Sequence, residues 1–124
     1  MIRLRQLWAA GYARVRYLVS IKLRSPYQFT LGFEDFEDFN RHFEKHRNEH
    51  PAFRSAYGYA RFADTFCGGP TAIHILQHVR QGDGASVRCD PLARIVGVLH
   101  VGGFIGTCHV NGKALRWFQR EQTR

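Results

Sequence analysis

The chain has 124 residues, of which 44% are hydrophobic and 14% aromatic. This length fits one domain, because two separate cores of about 60 residues each would be marginally stable, and the apolar content excludes a wholly disordered chain. Lysine and arginine total 18 against 10 acidic residues, a formal net charge of +8 at pH 7. Such a basic balance favours an anionic partner: nucleic acid first, then another polyanion or an acidic protein surface.

The charge is distributed unevenly along the chain. Residues 34–49 hold six of the ten acidic residues, and no acidic residue precedes Glu34. The other 108 residues carry 15 basic against four acidic residues, a net charge of +11. We therefore expect one acidic helix on an otherwise basic body.

The N-terminal region is predicted to contain one helix and two strands. In residues 1–12 an apolar stripe flanked by arginine predicts an amphipathic basic helix, which is similar to an organellar transit sequence or an interfacial membrane helix. Alternation of apolar and polar residues predicts a strand over 14–23. A second strand over 27–33 follows a turn at Pro26.

The cysteines and the hydropathy pattern bear on location. Cys67, Cys89 and Cys108 are odd in number and widely spaced, unlike the even frameworks of small disulfide-bonded secreted domains. This favours a reducing compartment: the cytoplasm, or the mitochondrion if the N-terminus is a targeting sequence. No apolar run reaches the roughly 20 residues of a membrane-spanning helix, so we expect no transmembrane span.

Two helices are predicted in the middle of the chain. The spacing of Phe36, Phe39 and Phe43 predicts a helix over 34–47, with acidic residues in its first turns as the helix dipole favours. Residues 53–66 are compatible with either a strand or a helix. A second helix is predicted over 71–80, where Ile75, Leu76 and Val79 would be buried.

The C-terminal third is predicted to form a three-stranded meander. Its strands span 94–101, 104–110 and 113–118, and Asn111-Gly112 between the last two is typical of a type I′ hairpin turn. The whole chain is then a single α+β domain, 1–124. An antiparallel sheet of N-terminal and C-terminal strands carries the two helices on one face and basic residues on the other.

The leading functional hypothesis is a non-enzymatic module that binds nucleic acid. Its candidate contacts are six basic residues and two tyrosines: Arg14, Arg16, Lys22, Arg24, Tyr57, Tyr59, Arg94 and Arg116. The segment Tyr57-Gly58-Tyr59-Ala60-Arg61-Phe62 resembles the RNP1 segment of RNA-recognition motifs. That resemblance implies a strand on which Tyr57 and Tyr59 stack on bases while Phe62 faces inward.

Two other functions remain open. A small metal-independent ribonuclease would need a base, an acid and a cation close together, which His100, His109, Arg94 and Lys113 would supply. The order of strand, helices and meander is similar to that of RelE-type toxin nucleases, which implies the same activity. The third hypothesis is an assembly subunit of an organellar or phage complex, with arginines that contact protein carboxylates.

The histidines raise a metal-site alternative. His42, His46 and His50 repeat every four residues, and His74 and His78 share that spacing, which would place the imidazoles on one helix face. A zinc site would combine His74 and His78 with Cys67 and Cys108. In a zinc protease with this His-x-x-x-His spacing, a general-base glutamate follows the first histidine. Ile75 occupies that position here, which argues against zinc hydrolysis. The alternative is that these histidines lie between apolar stripes and solvent, and no metal or other cofactor is then expected.

Overall fold

The structure, a computed structural model, describes residues 25–124. The predicted helix over 1–12 and the predicted strand over 14–23 lie outside this range. In the described range the chain forms helices on a four-stranded sheet, the α+β class expected from the sequence. The elements are helix α1 (Phe36–His46), a 3₁₀ helix (Pro51–Phe53), helix α2 (Ala56–Gly68), strands β1 (Leu76–Val79), β2 (Ser86–Asp90), β3 (Ile95–Leu99) and β4 (Ile105–Val110), and helix α3 (Ala114–Glu121).

The four strands form one antiparallel sheet in the order β1-β2-β3-β4. Val87 pairs with Val98 across β2 and β3, and Gly97 pairs with Cys108 across β3 and β4. Because side chains alternate along a strand, Val87 and Val98 lie on the face opposite to Gly97 and Cys108. The two faces therefore carry two separate sets of core residues.

Helix α1 confirms the prediction over 34–47. The carboxylate of Asp35 accepts the N–H of Asp38, which satisfies one of the free amides of the first turn. Phe39 and Phe43 are buried one turn apart, with their rings stacked at 5.8 Å between centroids. The helix ends after His46.

Residues 53–66, whose sequence is compatible with either a strand or a helix, are mostly helical. Helix α2 begins where the Ser55 hydroxyl accepts the N–H of Gly58, and it ends at Gly68. Tyr59, Ala63 and Cys67 recur every four residues and are buried on one side of the helix. The strand implied by the RNP1 resemblance is therefore wrong for this segment, because helical rather than twofold spacing buries its apolar residues.

The predicted helix over 71–80 is wrong. Leu76–Val79 form the edge strand β1, whose backbone pairs with β2. Ile73 is fully exposed, and Val79 is 64% exposed. The apolar residues of this segment match helical spacing but have no core to pack on, and strand pairing satisfies their backbone instead. Strand β2, which was not predicted, buries Val87 and Cys89.

The predicted strand over 113–118 and the hairpin turn at Asn111-Gly112 are also wrong. The Asn111 side-chain oxygen accepts the N–H of Lys113, and helix α3 begins at the next residue. A type I′ turn needs positive φ at Gly112, yet among the described glycines only Gly32, Gly84 and Gly103 have it. The strands predicted over 94–101 and 104–110 are confirmed as β3 and β4.

The segment predicted as a strand over 27–33 is not one. Instead, the buried carboxylate of Asp64, 1% exposed, accepts the backbone N–H groups of Gln28, Phe29 and Thr30 at 2.8–3.2 Å. The Thr30 hydroxyl donates to the same carboxylate. Three consecutive amides turned towards one side chain are incompatible with the alternating directions of strand hydrogen bonds. Asp64 therefore holds this segment on α2.

Helices cover both faces of the sheet. Helices α1 and α2 pack on one face, where Tyr59 and the phenylalanines of α1 surround Ile105 and Cys108. On the other face Trp117 and Phe118 of α3 pack against Val87, Val96 and Val98. The expected helix layer is therefore present, but the second face is covered by α3 and is not an open basic surface. None of the helices in the described range is long and apolar enough to span a membrane.

The Asp64 carboxylate gives the first testable prediction. In the Asp64→Asn variant an NH₂ group replaces one acceptor oxygen, and at least one of these part-buried N–H groups loses its partner. We expect the free energy of unfolding to fall by about 2–4 kcal/mol, measured by urea denaturation. The control Glu44→Gln removes an exposed carboxylate from a 3.5 Å ion pair with Arg47 and should change stability by less than about 0.5 kcal/mol. Equal effects of the two substitutions would contradict the role given to Asp64.

Candidate functional site

Three basic side chains line an open cleft between the β2–β3 turn and the first turn of α3. The cleft has a volume of about 440 Å³, and Arg94, Lys113 and Arg116 line it together with Gln119. No acidic residue is among its lining residues. Two separate parts of the chain therefore bring cationic groups to one concave surface.

The backbone of the turn places Arg94 in this cleft. Asp90 accepts the N–H groups of Leu92 and Ala93, each at 3.0 Å, which fixes the start of the turn. Arg94 itself has a φ of +60°, a left-handed conformation that is uncommon outside glycine. Its carbonyl accepts the N–H of Asn111 at 2.8 Å. The turn is thus joined directly to the segment that starts α3.

The first turn of α3 supplies the other side of the cleft. Lys113 is the N-cap residue, and Ala114 is buried against the sheet. The first turn contains no acidic residue, so the positive end of the helix dipole adds to the charge of Lys113 and Arg116. Arg120, one turn beyond Arg116, is exposed as well.

The basic residues of the cleft differ from several other basic residues in that they form no ion pairs. Arg80 contacts Asp83 and Glu121, and Arg124 also pairs with Glu121. Within residues 25–124, by contrast, neither Arg94 nor Lys113 nor Arg116 forms an ion pair. The cleft cations are therefore available to an external anion. Lys45, Arg54 and Arg61 share this property elsewhere on the surface, so availability alone does not single out the cleft.

The remaining predicted nucleic-acid contacts are not assembled with the cleft. Tyr59 is fully buried, and its hydroxyl donates to the carbonyl of Cys108 at 2.7 Å, so it offers no face to a base. Burial raises the pKa of Tyr59 far above its usual range. Tyr57 is half-buried in the first turn of α2. The four N-terminal candidates, Arg14, Arg16, Lys22 and Arg24, lie outside the described residues.

The histidines of the ribonuclease hypothesis lie apart. His109 pairs with Val96 near the start of β3, while His100 follows the end of that strand. Four residues of strand separate Val96 from His100, which corresponds to about 13 Å. His100 is therefore at the opposite end of β3 from Arg94. The structure does not bring the proposed acid, base and cation together.

The proposed zinc ligands do not converge either. His74 contacts Asp90, whereas Nε2 of His78 lies 2.8 Å from the carbonyl of Phe118 on α3. Cys67 and Cys108 are buried on the other face, with the Cys67 thiol directed at the carbonyl of Thr107. Among residues 25–124 no group of three or more histidine, cysteine or acidic side chains is arranged to hold a metal ion.

A cluster of histidines joins α1 to β4. The rings of His46 and His109 stack at 4.8 Å between centroids, and Nδ1 of His46 lies 2.7 Å from a Glu49 oxygen. The other oxygen of Glu49 accepts the N–H of Val110. Burial, together with the nearby His46, lowers the pKa of His109 to about 4, while Glu49 opposes the shift. The sequence showed the spacing of His42 and His46 but not their distant partner.

Histidine burial predicts an acid-labile fold. In the unfolded chain the pKa of His109 is about 6.5, so the unfolded state binds more protons between pH 6.5 and 4, and stability falls as pH falls through this window. His42, whose pKa burial also lowers, acts in the same direction. We expect a loss of about 2 kcal/mol from pH 7 to pH 4.5 in urea denaturation, and a smaller loss in His109→Gln. If His109→Gln loses as much free energy of unfolding between pH 7 and pH 4.5 as the native chain does, the prediction is contradicted.

Because the backbone of Arg94 is left-handed, glycine can replace it without strain, and a role of its side chain in stability can be distinguished from a role in binding. Glycine adopts a φ of +60° without a steric penalty, so Arg94→Gly should keep the free energy of unfolding within about 1 kcal/mol of the native chain or raise it. The control Arg116→Gly removes the same charge from a helix and should lower stability by about 1 kcal/mol. Urea denaturation of both variants checks this. Strong destabilisation by Arg94→Gly would show a structural role for the arginine side chain.

Sequence reasoning missed the cleft as a unit. It singled out Arg94, Lys113 and Arg116 but placed them in different roles on an extended sheet. The available signal was the spacing of Ala114, Trp117 and Phe118, which is that of an amphipathic helix.

No protein-family model and no curated protein sequence matches this chain. The case for a function therefore rests on geometry and chemistry alone.

Proposed function

We propose that this protein is a small non-enzymatic module that binds nucleic acid through the basic cleft. One observation carries the proposal: Arg94, Lys113 and Arg116 converge on one cleft that no acidic residue lines. Their side chains make no ion pair within the described residues, so binding an anion does not require an existing ion pair to break.

The chemistry of the cleft suits phosphate groups. Guanidinium groups bind phosphate with two parallel hydrogen bonds, and the ammonium of Lys113 adds a compact charge. The helical rise places Arg120 about 10 Å from Lys113 along α3. Because Arg120 is exposed, it extends the basic surface beyond the cleft.

The N-terminal basic residues extend this proposal. Arg14, Arg16, Lys22 and Arg24 remain predicted contacts that would add to the electrostatic attraction. Tyr59 is withdrawn as a contact because it is buried.

An acidic protein surface is the second candidate partner. Leu115, which is 46% exposed, lines the cleft, and Leu92, which is 79% exposed, lies in the turn that carries Arg94. Exposed apolar residues beside charged ones are typical of protein interfaces. Under this alternative the module is an assembly subunit, and phosphate contacts are incidental.

A salt titration with matched variants tests the proposal. Binding of a labelled single-stranded oligonucleotide is followed by fluorescence anisotropy as salt is raised. The triple variant Arg94→Gln/Lys113→Gln/Arg116→Gln should lose at least about tenfold in affinity at low salt. Because each lost phosphate contact removes about 0.7 from the slope of log K against log salt, the slope should fall by about 2.

The control removes the same charge elsewhere. In Arg41→Gln/Arg47→Gln/Arg124→Gln three arginines that pair with acidic residues are neutralised, and we expect affinity to change less than about threefold. Equal losses in both triple variants would mean diffuse attraction and would contradict a cleft site. Absence of binding by the native chain at low salt would refute the nucleic-acid function.

A further inference from the structure

A second concave site lies on the other side of the β2–β3 turn. It is an apolar pocket of about 270 Å³ between the C-terminal half of α2 and the segment that leads into β1. Phe62, Phe66 and Ile75 supply most of its apolar wall, and His74 and Asp90 lie at its polar side. The sequence analysis assigned no function to this combination.

The polar side of the pocket is fixed in position. Nε2 of His74 lies 3.2 Å from one oxygen of Asp90. The other oxygen of Asp90 accepts the N–H groups of Leu92 and Ala93. Nδ1 of His74 has no hydrogen-bond partner within residues 25–124, and the hydroxyls of Thr65 and Thr71 also line the pocket. The pocket therefore offers hydrogen-bonding groups beside an aromatic wall.

The pocket and the basic cleft share one turn. Asp90 lines the pocket, whereas Pro91 and Arg94 line the cleft. Asp90 pairs with Ile95 across the hairpin, so this turn closes tightly and the two sites are neighbours. An extended ligand that binds both sites has to pass around this turn.

We propose that the pocket holds one unpaired nucleobase of a single strand whose phosphates lie in the basic cleft. This inference rests on the proposed function and narrows its ligand to single-stranded nucleic acid. A base in a duplex is stacked and paired, and it cannot enter a concave pocket without leaving the helix. An unpaired base can stack on an aromatic side chain and bond through its edge.

The distribution of charge supports a base in the pocket rather than a phosphate. The carboxylate of Asp90 lines the pocket and would repel a phosphate, but it does not repel a neutral base. Arg94, Lys113 and Arg116 lie on the cleft side of the turn, where the phosphates would be. Near the pocket, the guanidinium of Arg88 already donates to the carbonyls of Phe66 and Gly69. The rings of Phe62 and Phe66 are parallel within 10°, with centroids 6.1 Å apart. A base therefore stacks on one outer ring face and does not insert between the two rings, which are too close.

Exposed apolar groups surround the entrance. Ile73 is fully exposed next to the pocket residues Ala72 and His74, and Leu92 is exposed at the tip of the shared turn. Side chains of this kind would contact the sugar and base of a bound nucleotide. The pocket thus offers apolar contacts on one side of the shared turn, and the cleft offers cations on the other.

The test compares three probes by anisotropy and competition: a single-stranded oligonucleotide, the same sequence as a duplex, and inorganic polyphosphate, which has no bases. We expect the single strand to bind at least about tenfold more tightly than the duplex. The variant Ala72→Trp fills the pocket from an exposed position, so the fold is preserved. It should weaken single-strand binding about tenfold and leave binding of polyphosphate unchanged.

Two further variants complete the test. Val101→Trp places the same bulk at an exposed position in the β3–β4 turn and should have no effect. Phe66→Leu, with its fold checked by urea denaturation, should also weaken binding of the single strand. If Ala72→Trp and Phe66→Leu both weaken binding of the single strand, the introduced tryptophan is not by itself the cause.

The outcomes separate the two proposals. If single strand and duplex bind equally and Ala72→Trp has no effect, while the triple variant of the cleft still loses affinity, base binding is refuted and the proposed function stands. If neither nucleic acid binds at low salt, the proposed function fails and the inference fails with it. If an acidic peptide with an aromatic residue binds through the pocket and the oligonucleotide does not, the occupant is a protein.

Discussion

Asn111 joins the two parts of the basic cleft. Its backbone N–H donates to the carbonyl of Arg94, and its side-chain oxygen accepts the N–H of Lys113. The first bond holds the β2–β3 turn against the end of β4, and the second fixes the turn that leads into α3, which begins at Ala114. Since Arg94 and Arg116 are 22 residues apart in the chain, their common orientation depends on this junction. Binding by preorganised cations avoids the entropy of gathering flexible ones.

The sheet places the two candidate sites side by side. Helix α2 packs on one face and α3 on the other, and the β2–β3 turn projects between their ends. The pocket belongs to the α2 face and the cleft to the α3 face. The close approach of α2 depends on Gly97, where a Cβ would lie 2.7 Å from the sulfur of Cys67. The ring of Phe66 also packs over Gly97, where a Cβ would lie 2.9 Å from it, and Phe66 forms a pocket wall together with Phe62.

Sequence patterns predicted α1, β3 and β4 for different reasons. The spacing of Phe39 and Phe43 matches their burial on α1, whereas β3 and β4 were predicted from a composition rich in β-branched residues, and β3 is buried at four consecutive positions. The segments over 71–80 and 113–118 were misassigned because their apolar residues fit both periods over so short a length, and tertiary packing selected one. Asn111-Gly112 carried a hairpin signal, yet the Asn111 side chain accepts the N–H of Lys113, and a helix rather than a strand begins at Ala114. The cleft cations were visible as residues, but their convergence depends on long-range contacts that no local pattern encodes.

The most direct measurement is an NMR titration of the ¹⁵N-labelled chain with a single-stranded oligonucleotide at low salt. Backbone amide shifts report which surface the ligand touches, independently of affinity. We expect the largest changes in residues 92–94 and 112–116, with a second group around Ala72 and His74. Changes spread evenly over the exposed arginines, or concentrated around α1, would contradict the assignment of the cleft as the binding site.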